Sequence, residues 1–277
     1  MKYLYLISVL LILIILIVYY NLYYKFKRYH YNDTCYINQN KYKYLKNFDV
    51  DNYPINPINP LFQTYYDKSK IPSDIFTNIK KYAPEYTHII MDDDDIKNFL
   101  KRYYDEDVLY TFNSLKNGAH KADLARYCIL YIYGGLYMDI KVELIKPLSE
   151  IFNKGNNVFY SVISNFGDHI HQAIIKTPAR NPLFLSLIDY IVNKKNPFMY
   201  IDFCRDMYIQ IKNDIGNVKE GFNIGKEGNE YYFFREKCSL TDDSMCYDGF
   251  DRYGLCCFVW DGDIPVIKSR RSSYPWK

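Results

Sequence analysis

Residues 119–141, AHKADLARYCILYIYGGLYMDIK, hold the side chains most able to do chemistry in this chain. Asp123 and Arg126 are three apart, which places them on adjacent parts of one helix face near its start. Asp139 follows an apolar run, at the expected end of a strand, where an open α/β sheet presents ligand-binding residues. Helix start and strand end can therefore meet at one crevice, with two carboxylates and a guanidinium offered to a small polar ligand. The alternative is structural: Asp123 and Arg126 form an ion pair and Asp139 caps a turn. An acid closing so apolar a strand must be paired, hydrated or ligand-bound, and a crevice supplies those partners.

A second polar group follows in Gly167-Asp168-His169-Ile170-His171-Gln172. Its two histidines are two apart and so lie on the same side of an extended segment, which makes Asp168, His169 and His171 candidate ligand or metal contacts. Ordinary loop polarity is the competing explanation. Asp92-Asp93-Asp94-Asp95 also invites a metal, but acids are favoured by the unpaired amides of a helix start, and Ile96, Phe99, Leu100 and Tyr103 continue at helical offsets. The run is read as a cap. No CxxC pair suggests a zinc knuckle, no Ser/His/Asp order or Cys/His pair demands nucleophilic catalysis, and Gly134-Gly135 is not a dinucleotide fingerprint.

These residues need elements to position them. Pro60–Tyr65 and Tyr86–Met91 read as strands, and Ser73 after Pro72 is expected to cap a helix carrying Ile75, Ile79 and Tyr82. A helix from about Lys121 to Tyr133 presents a broad apolar surface suited to a place between layers. Gly134-Gly135 ends it through a left-handed position, and Leu136–Ile140 enters a buried strand. Another helix covers Asn181–Val192, entered through Asn181-Pro182. After Gly216 the chain is glycine-punctuated, with aromatic runs at Tyr231–Phe234 and Cys256–Trp260 folding back over the main sheet. Strands alternating with helices predict an α/β fold with a mostly parallel sheet between helices.

The 277 residues contain 49% hydrophobic and 24% charged residues, enough for a sizeable core and against global disorder. A net charge of +3 is too balanced to indicate a nucleic-acid partner. Residues 3–24, YLYLISVLLILIILIVYYNLYY, carry no charge and are long enough to cross a bilayer as one helix. The apolar run exceeds a signal-peptide core and no small-residue cleavage site follows, so a retained anchor is expected. The domain plan is a transmembrane anchor at 3–24, a polar stalk at 25–55 and one folded domain at 56–277, with the lipid bilayer as a partner. Lys2 against Lys25, Lys27 and Arg28 favours a cytosolic domain. Among the seven cysteines, Cys238 and Cys246 bracket a polar loop and either pair or stay free, while Cys128 reads as a small buried hydrophobe. Lys268, Arg270 and Arg271 beside Tyr274 and Trp276 are read as a solubilised tail.

The motif resembles the glycosyltransferases related to yeast initiating mannosyltransferases and inositolphosphoceramide mannosyltransferase subunits, family 32, whose sugar-binding region contains a DxD element. The family pattern Ser-Asp-x-x-Arg-Tyr, Tyr-Gly-Gly-x-Tyr and DxD becomes here Ala122-Asp123-Leu124-Ala125-Arg126-Tyr127, Tyr133-Gly134-Gly135-Leu136-Tyr137 and Asp139-Ile140-Lys141. Gln63 and Thr64 match the family opening, where Phe62 and Tyr65 replace its histidine and tryptophan. The likeness covers about residues 57–195. It implies a GT-A fold, a nucleoside-diphosphate sugar donor, a glycan or glycolipid acceptor, retention of the donor's configuration, and a divalent Mn²⁺ or Mg²⁺ ion. Mannose is favoured over glucose or galactose by the resemblance alone. For a eukaryotic protein, or a viral one in a eukaryotic host, it also pulls toward a Golgi or endoplasmic reticulum membrane with a lumenal domain, against the charge rule.

The same resemblance assigns roles. Asp123, Arg126, Asp139 and Lys141 are the expected catalytic residues, and Asp123, Arg126, Tyr127, Gly135, Tyr137 and Asp139 the donor-binding set. Asp168, His169 and His171 are acceptor or auxiliary contacts, and Asp139, with His169 or His171, the candidate metal ligands. Lys141 stands where the last DxD carboxylate is expected. Either Asp139, phosphates and a distant acid or histidine hold the metal, or the Lys141 ammonium itself offsets the diphosphate charge. The departure also admits a degenerate sugar-binding or scaffold protein of the same fold, and a nucleotidyltransferase is the other enzyme class such a crevice suits.

Overall fold

Each central strand feeds two cores, because successive side chains leave a strand on opposite faces. Phe62 of β1 (Pro60–Thr64) and Tyr137 of β3 (Gly135–Met138) join one apolar cluster, whereas Leu61, Leu136 and Met138 join the other. The computed structural model describes residues 43–46, 58–194, 199–239, 246 and 255–269. All lie in the second of the two compact units, 1–40 and 41–277, into which the chain divides.

The chain runs through β1, α1 (Ser73–Tyr82) and β2 (Thr87–Met91), then three successive helices, α2 (Asp93–Tyr103), α3 (Glu106–Ser114) and α4 (Gly118–Tyr133), before β3. Ser73 is the first helical residue of α1 rather than its cap; Pro72 occupies the cap position and offers no side-chain acceptor. The acidic run does cap α2: the Asp92 carboxylate accepts from the Asp94 and Asp95 amides, and the Asp95 carboxylate accepts from the Asp92 amide. Ile96, Phe99, Leu100 and Tyr103 are then buried together.

The rest of the described chain comprises β4 (Glu143–Leu144), a helical turn at Leu148–Ile151, β5 (Phe159–Ile163), β6 (Ile174–Thr177), α5 (Pro182–Asn193), α6 (Asp202–Ile215), β7 (Gly221–Ile224), β8 (Glu230–Ser239), β9 (Cys256–Asp261) and β10 (Ile264–Lys268). One sheet runs β2-β1-β3-β6-β5-β8-β9-β10-β4, with β7 on β8. Helices α2 to α6 cover one face, while α1 and the Leu148–Ile151 turn lie on the other. The α/β class holds, but the sheet is mixed rather than mostly parallel. Among the described strands only β1–β2, β1–β3 and β5–β8 pair parallel. A parallel neighbour needs a crossover of about a dozen residues or more, usually helical. Between β3 and α5 the only helix is a single turn, so β6 returns antiparallel to β3 and to β5.

Three further expectations meet the structure. The anchor at 3–24 lies outside the described residues, and no helix among the described residues is long and apolar enough to cross a membrane. The longest, α4, has 16 residues and so spans about 24 Å, short of the roughly 30 Å hydrocarbon core. The transmembrane helix, the bilayer partner and the Golgi or endoplasmic reticulum membrane location are therefore unsupported and are set aside. Within the segment read as a stalk, residues 43–46 pack on this unit: Tyr44 is buried and its hydroxyl donates to Asp189 at 2.8 Å. Finally, Cys238 pairs with Cys257 and Cys246 with Cys256, not Cys238 with Cys246. The β8–β9 register sets Cys238 opposite Cys257 with Cα atoms 4.0 Å apart, and alternation turns Cys256 to the other face. Cys128 is a buried free thiol, and Lys268, read as tail, is buried at the end of β10.

The junction of α4 and β3 has no spare residues. Gly134 and Gly135 adopt φ values of +62° and +87°, and an added Cβ would lie 2.3 Å from the Ala179 amide nitrogen or 2.5 Å from the Pro60 ring. Gly118, at the start of α4, has nothing within 4 Å. Gly134→Ala is expected to destabilise the protein by at least about 2 kcal/mol, and Gly118→Ala to stabilise it by about 0.4–1 kcal/mol. Urea denaturation of the two variants checks this; equal shifts would contradict it.

Candidate active site

Helix α4 starts under an Asn117 cap, whose side chain accepts from the Ala119 amide, and it carries Asp123 and Arg126 into the interior. Arg126 is 4% exposed. Its guanidinium meets Asp123 at 3.1 Å and Asp139 at 3.0 Å, donates to the Gln172 carbonyl at 2.8 Å, and lies 4.5 Å from the centre of the Tyr137 ring. Asp139 stands one residue beyond β3, where its amide donates to the Ala173 carbonyl. One Asp139 oxygen accepts from Arg126 and from the Tyr137 hydroxyl at 3.0 Å; the other meets Lys141 at 2.9 Å. Thr64 bonds the Tyr137 hydroxyl at 2.9 Å, and buried Gln63 donates to the Asp139 carbonyl. Helix start and strand end thus meet through one guanidinium.

The charges form an alternating row, Asp123, Arg126, Asp139 and Lys141. Burial pushes the Asp139 carboxyl up, but Lys141 and Arg126 outweigh it and hold the group well below the usual carboxylate range. Burial also pushes Asp123 up, with Arg126 opposing. For Arg126 burial acts against the charge, and Tyr137, Asp139 and Asp123 reverse it, so the guanidinium stays ionised.

The row opens on a cleft of about 740 Å³ lined by Asp123, Arg126, Asp139 and Lys141 and also by His169 and His171. Asp168 is exposed at a hairpin tip and does not line it. Burial pushes the His169 imidazole down in pKa, and the His171 ring lies 3.7 Å from Glu236. Tyr137 lines the cleft as well. Tyr127 does not: it is 0% exposed, with its ring 6.0 Å from Phe184 in the helix-side core. Gly135 packs on Pro60 and also stands apart from the cleft. Glu236, on β8, lines it at 1% exposure and was missed. Its signal was an acid two residues beyond Phe234 in an apolar alternation.

The implied divalent ion does not fit the Asp139 environment. Both Asp139 oxygens already meet cationic groups, and the position that would supply a second carboxylate supplies an ammonium. A dication there would face Arg126 and Lys141 across a single acid. Among the described residues, one group brings three ligand atoms within 4.8 Å of one another: Glu236, Cys238 and Cys257. The two sulfurs are bonded to each other, and the metal ligand is the thiolate, so this group gains capacity for a metal only on reduction.

Residues 69–159 match the family described as the glycosyltransferase sugar-binding region containing DXD motif. A protein of Acanthamoeba polyphaga mimivirus, named an uncharacterized glycosyltransferase, is 31% identical over 132 residues, 47% of this chain and 50% of that protein. The initiation-specific alpha-1,6-mannosyltransferase of Saccharomyces cerevisiae is 33% identical over 88 residues, 30% of this chain and 18% of that enzyme. Inositol phosphoceramide mannosyltransferase 1 of Schizosaccharomyces pombe is 28% identical over 112 residues, 40% and 29% of the two chains. The chain thus spans half or less of the length of these relatives. Residues 69–159, from just before α1 through the Asp139 cluster to the start of β5, are similar to a DXD-motif glycosyltransferase sugar-binding region, and parts of the chain are similar to the fungal mannosyltransferases.

Proposed function

We propose that this chain is a retaining hexosyltransferase of GT-A type that moves a sugar, with mannose the favoured one, from a nucleoside diphosphate to a glycan or glycolipid acceptor. The row Asp123–Arg126–Asp139–Lys141 on the wall of an open cleft carries the reading, and the matched sugar-binding region supports the donor class. The names of the fungal relatives supply mannose.

The reaction breaks the bond between the sugar and the diphosphate, so negative charge grows on the leaving group and positive character on the sugar carbon. A preorganised cation is worth most at that moment. Arg126 is held between two acids and a carbonyl, so its part is to fix Asp139 and Asp123. Lys141, with a side chain 20% exposed on the cleft, is the cation set to meet the diphosphate. Asp139 aims that ammonium and accepts from donor hydroxyls, and Asp123 is a further acceptor for the sugar. No step passes through a metal.

Two outcomes test this with UDP-glucose, UDP-galactose and GDP-mannose as donors. Asp139→Asn is expected to lower turnover by at least about 100-fold, with circular dichroism unchanged because the amide keeps an oxygen for Arg126. Nucleotide-sugar binding without turnover in the unmodified protein would instead identify a degenerate sugar-binding protein, and transfer of a nucleotide in place of the sugar a nucleotidyltransferase. Activity is also expected to survive EDTA within about twofold, whereas Lys141→Asp, which restores two carboxylates, becomes dependent on added Mn²⁺. Complete, Mn²⁺-rescued loss in the unmodified protein would refute the role given to Lys141.

A further inference from the structure

The donor row leaves part of the cleft without a role, and that part is built from two kinds of group. One is polar. Glu236 sits near the end of β8, three strands along the sheet from β3. Its carboxylate accepts from the Ser269 hydroxyl at 2.9 Å and from the Ser164 hydroxyl and the Asn165 amide, both at 3.4 Å, with His171 alongside. The other is aromatic. Phe166 and Tyr200 line the same cleft while 60% and 66% exposed.

The two kinds are mechanically linked. The Phe166 amide donates to the Ser164 hydroxyl, which donates to Glu236, so the buried acid anchors the hairpin tip that carries the Phe166 ring. Tyr200 stands just before α6, its ring 6.4 Å from that of His120 on α4. The start of α6 is tied to the same hairpin, since the Ile170 amide donates to the Cys204 carbonyl at 3.1 Å and the Gln172 side chain to the Phe203 carbonyl at 2.8 Å. Two solvent-exposed rings are thus held at a cleft that also contains a buried carboxylate.

A pyranose matches this combination. Its C–H face lies on an aromatic face, and its hydroxyls donate to a carboxylate. An acyl chain would cover the two rings but make no use of the polar wall beside them. We propose that this part of the cleft is a carbohydrate subsite, in which a sugar of the acceptor packs on Phe166 and Tyr200 and donates hydroxyl hydrogen bonds to Glu236. The proposal rests on the transferase reading above and narrows its acceptor to a glycan.

Saturation-transfer NMR on the full chain tests it, with methyl glucosides, galactosides and mannosides, their di- and trisaccharides, and Ser/Thr-containing peptides as probes. At least one saccharide is expected to bind with transfer strongest at its ring C–H protons. Affinity is expected to fall about tenfold in Phe166→Ala and in Tyr200→Ala, and to stay within about threefold in Phe166→Tyr and Tyr200→Phe, which keep the aromatic face. Tyr110→Ala, another exposed ring outside the cleft, serves as the control and leaves binding unchanged. No saccharide binding, peptide binding in its place, or losses below about twofold in both alanine variants would overturn the subsite. Calorimetry with UDP and GDP separates the two readings. Nucleotide binding with ring-independent acceptor binding sinks the subsite alone. Ring-dependent saccharide binding without nucleotide binding sinks the transferase reading and upholds the subsite.

Discussion

A guanidinium cannot shed its charge under ordinary conditions, so burying Arg126 obliges the structure around it. Its donors must be met and its charge balanced inside the protein, or the cost runs to several kcal/mol. Asp123 meets it from one turn back along α4, Asp139 from the end of β3, and the Gln172 carbonyl from the strand-forming segment that follows the hairpin. Three pieces of chain distant in sequence are thereby held to one another at the wall of a cleft. The geometry of the cleft wall is a by-product of satisfying one buried cation.

The same arrangement explains the absence of room for a metal-centred site around Asp139. A carboxylate that balances Arg126 and Lys141 has little charge left to offer a dication. The ammonium brings its own tether and is delivered by the turn after β3, in which the Val142 amide bonds the Asp139 carbonyl. It therefore comes preassembled with the fold, whereas an ion must be recruited. In the proposed reaction it would meet the diphosphate as a point charge, without the directional coordination of a metal ion.

The parts of this architecture readable from the chain are those set by local rules. The Asp92 cap, the helix that follows it and the Asn181-Pro182 entry to α5 each depend on a few neighbouring residues. The convergence of Asp123, Arg126 and Asp139 was legible because helix period and strand end are themselves local. Sheet direction was not, since it depends on which connections are too short to cross over. Cysteine pairing was hidden for a similar reason: Cys238 finds Cys257 through the register of β8 on β9, which no spacing reveals. Glu236 enters the cleft through the same long-range pairing, and Tyr127, one residue from Arg126, turns into the core because the helix carries it around to the Phe184 side.

Gly134 and Gly135 join helix to strand with no intervening loop, and both are walled in by Ala179 and Pro60. The length of the junction is consequently fixed by the ion pair beyond it: an inserted or deleted residue would rotate Asp139 away from Arg126. The hairpin tip faces no comparable restriction, since a Cβ added at Gly167 would meet nothing within 4 Å.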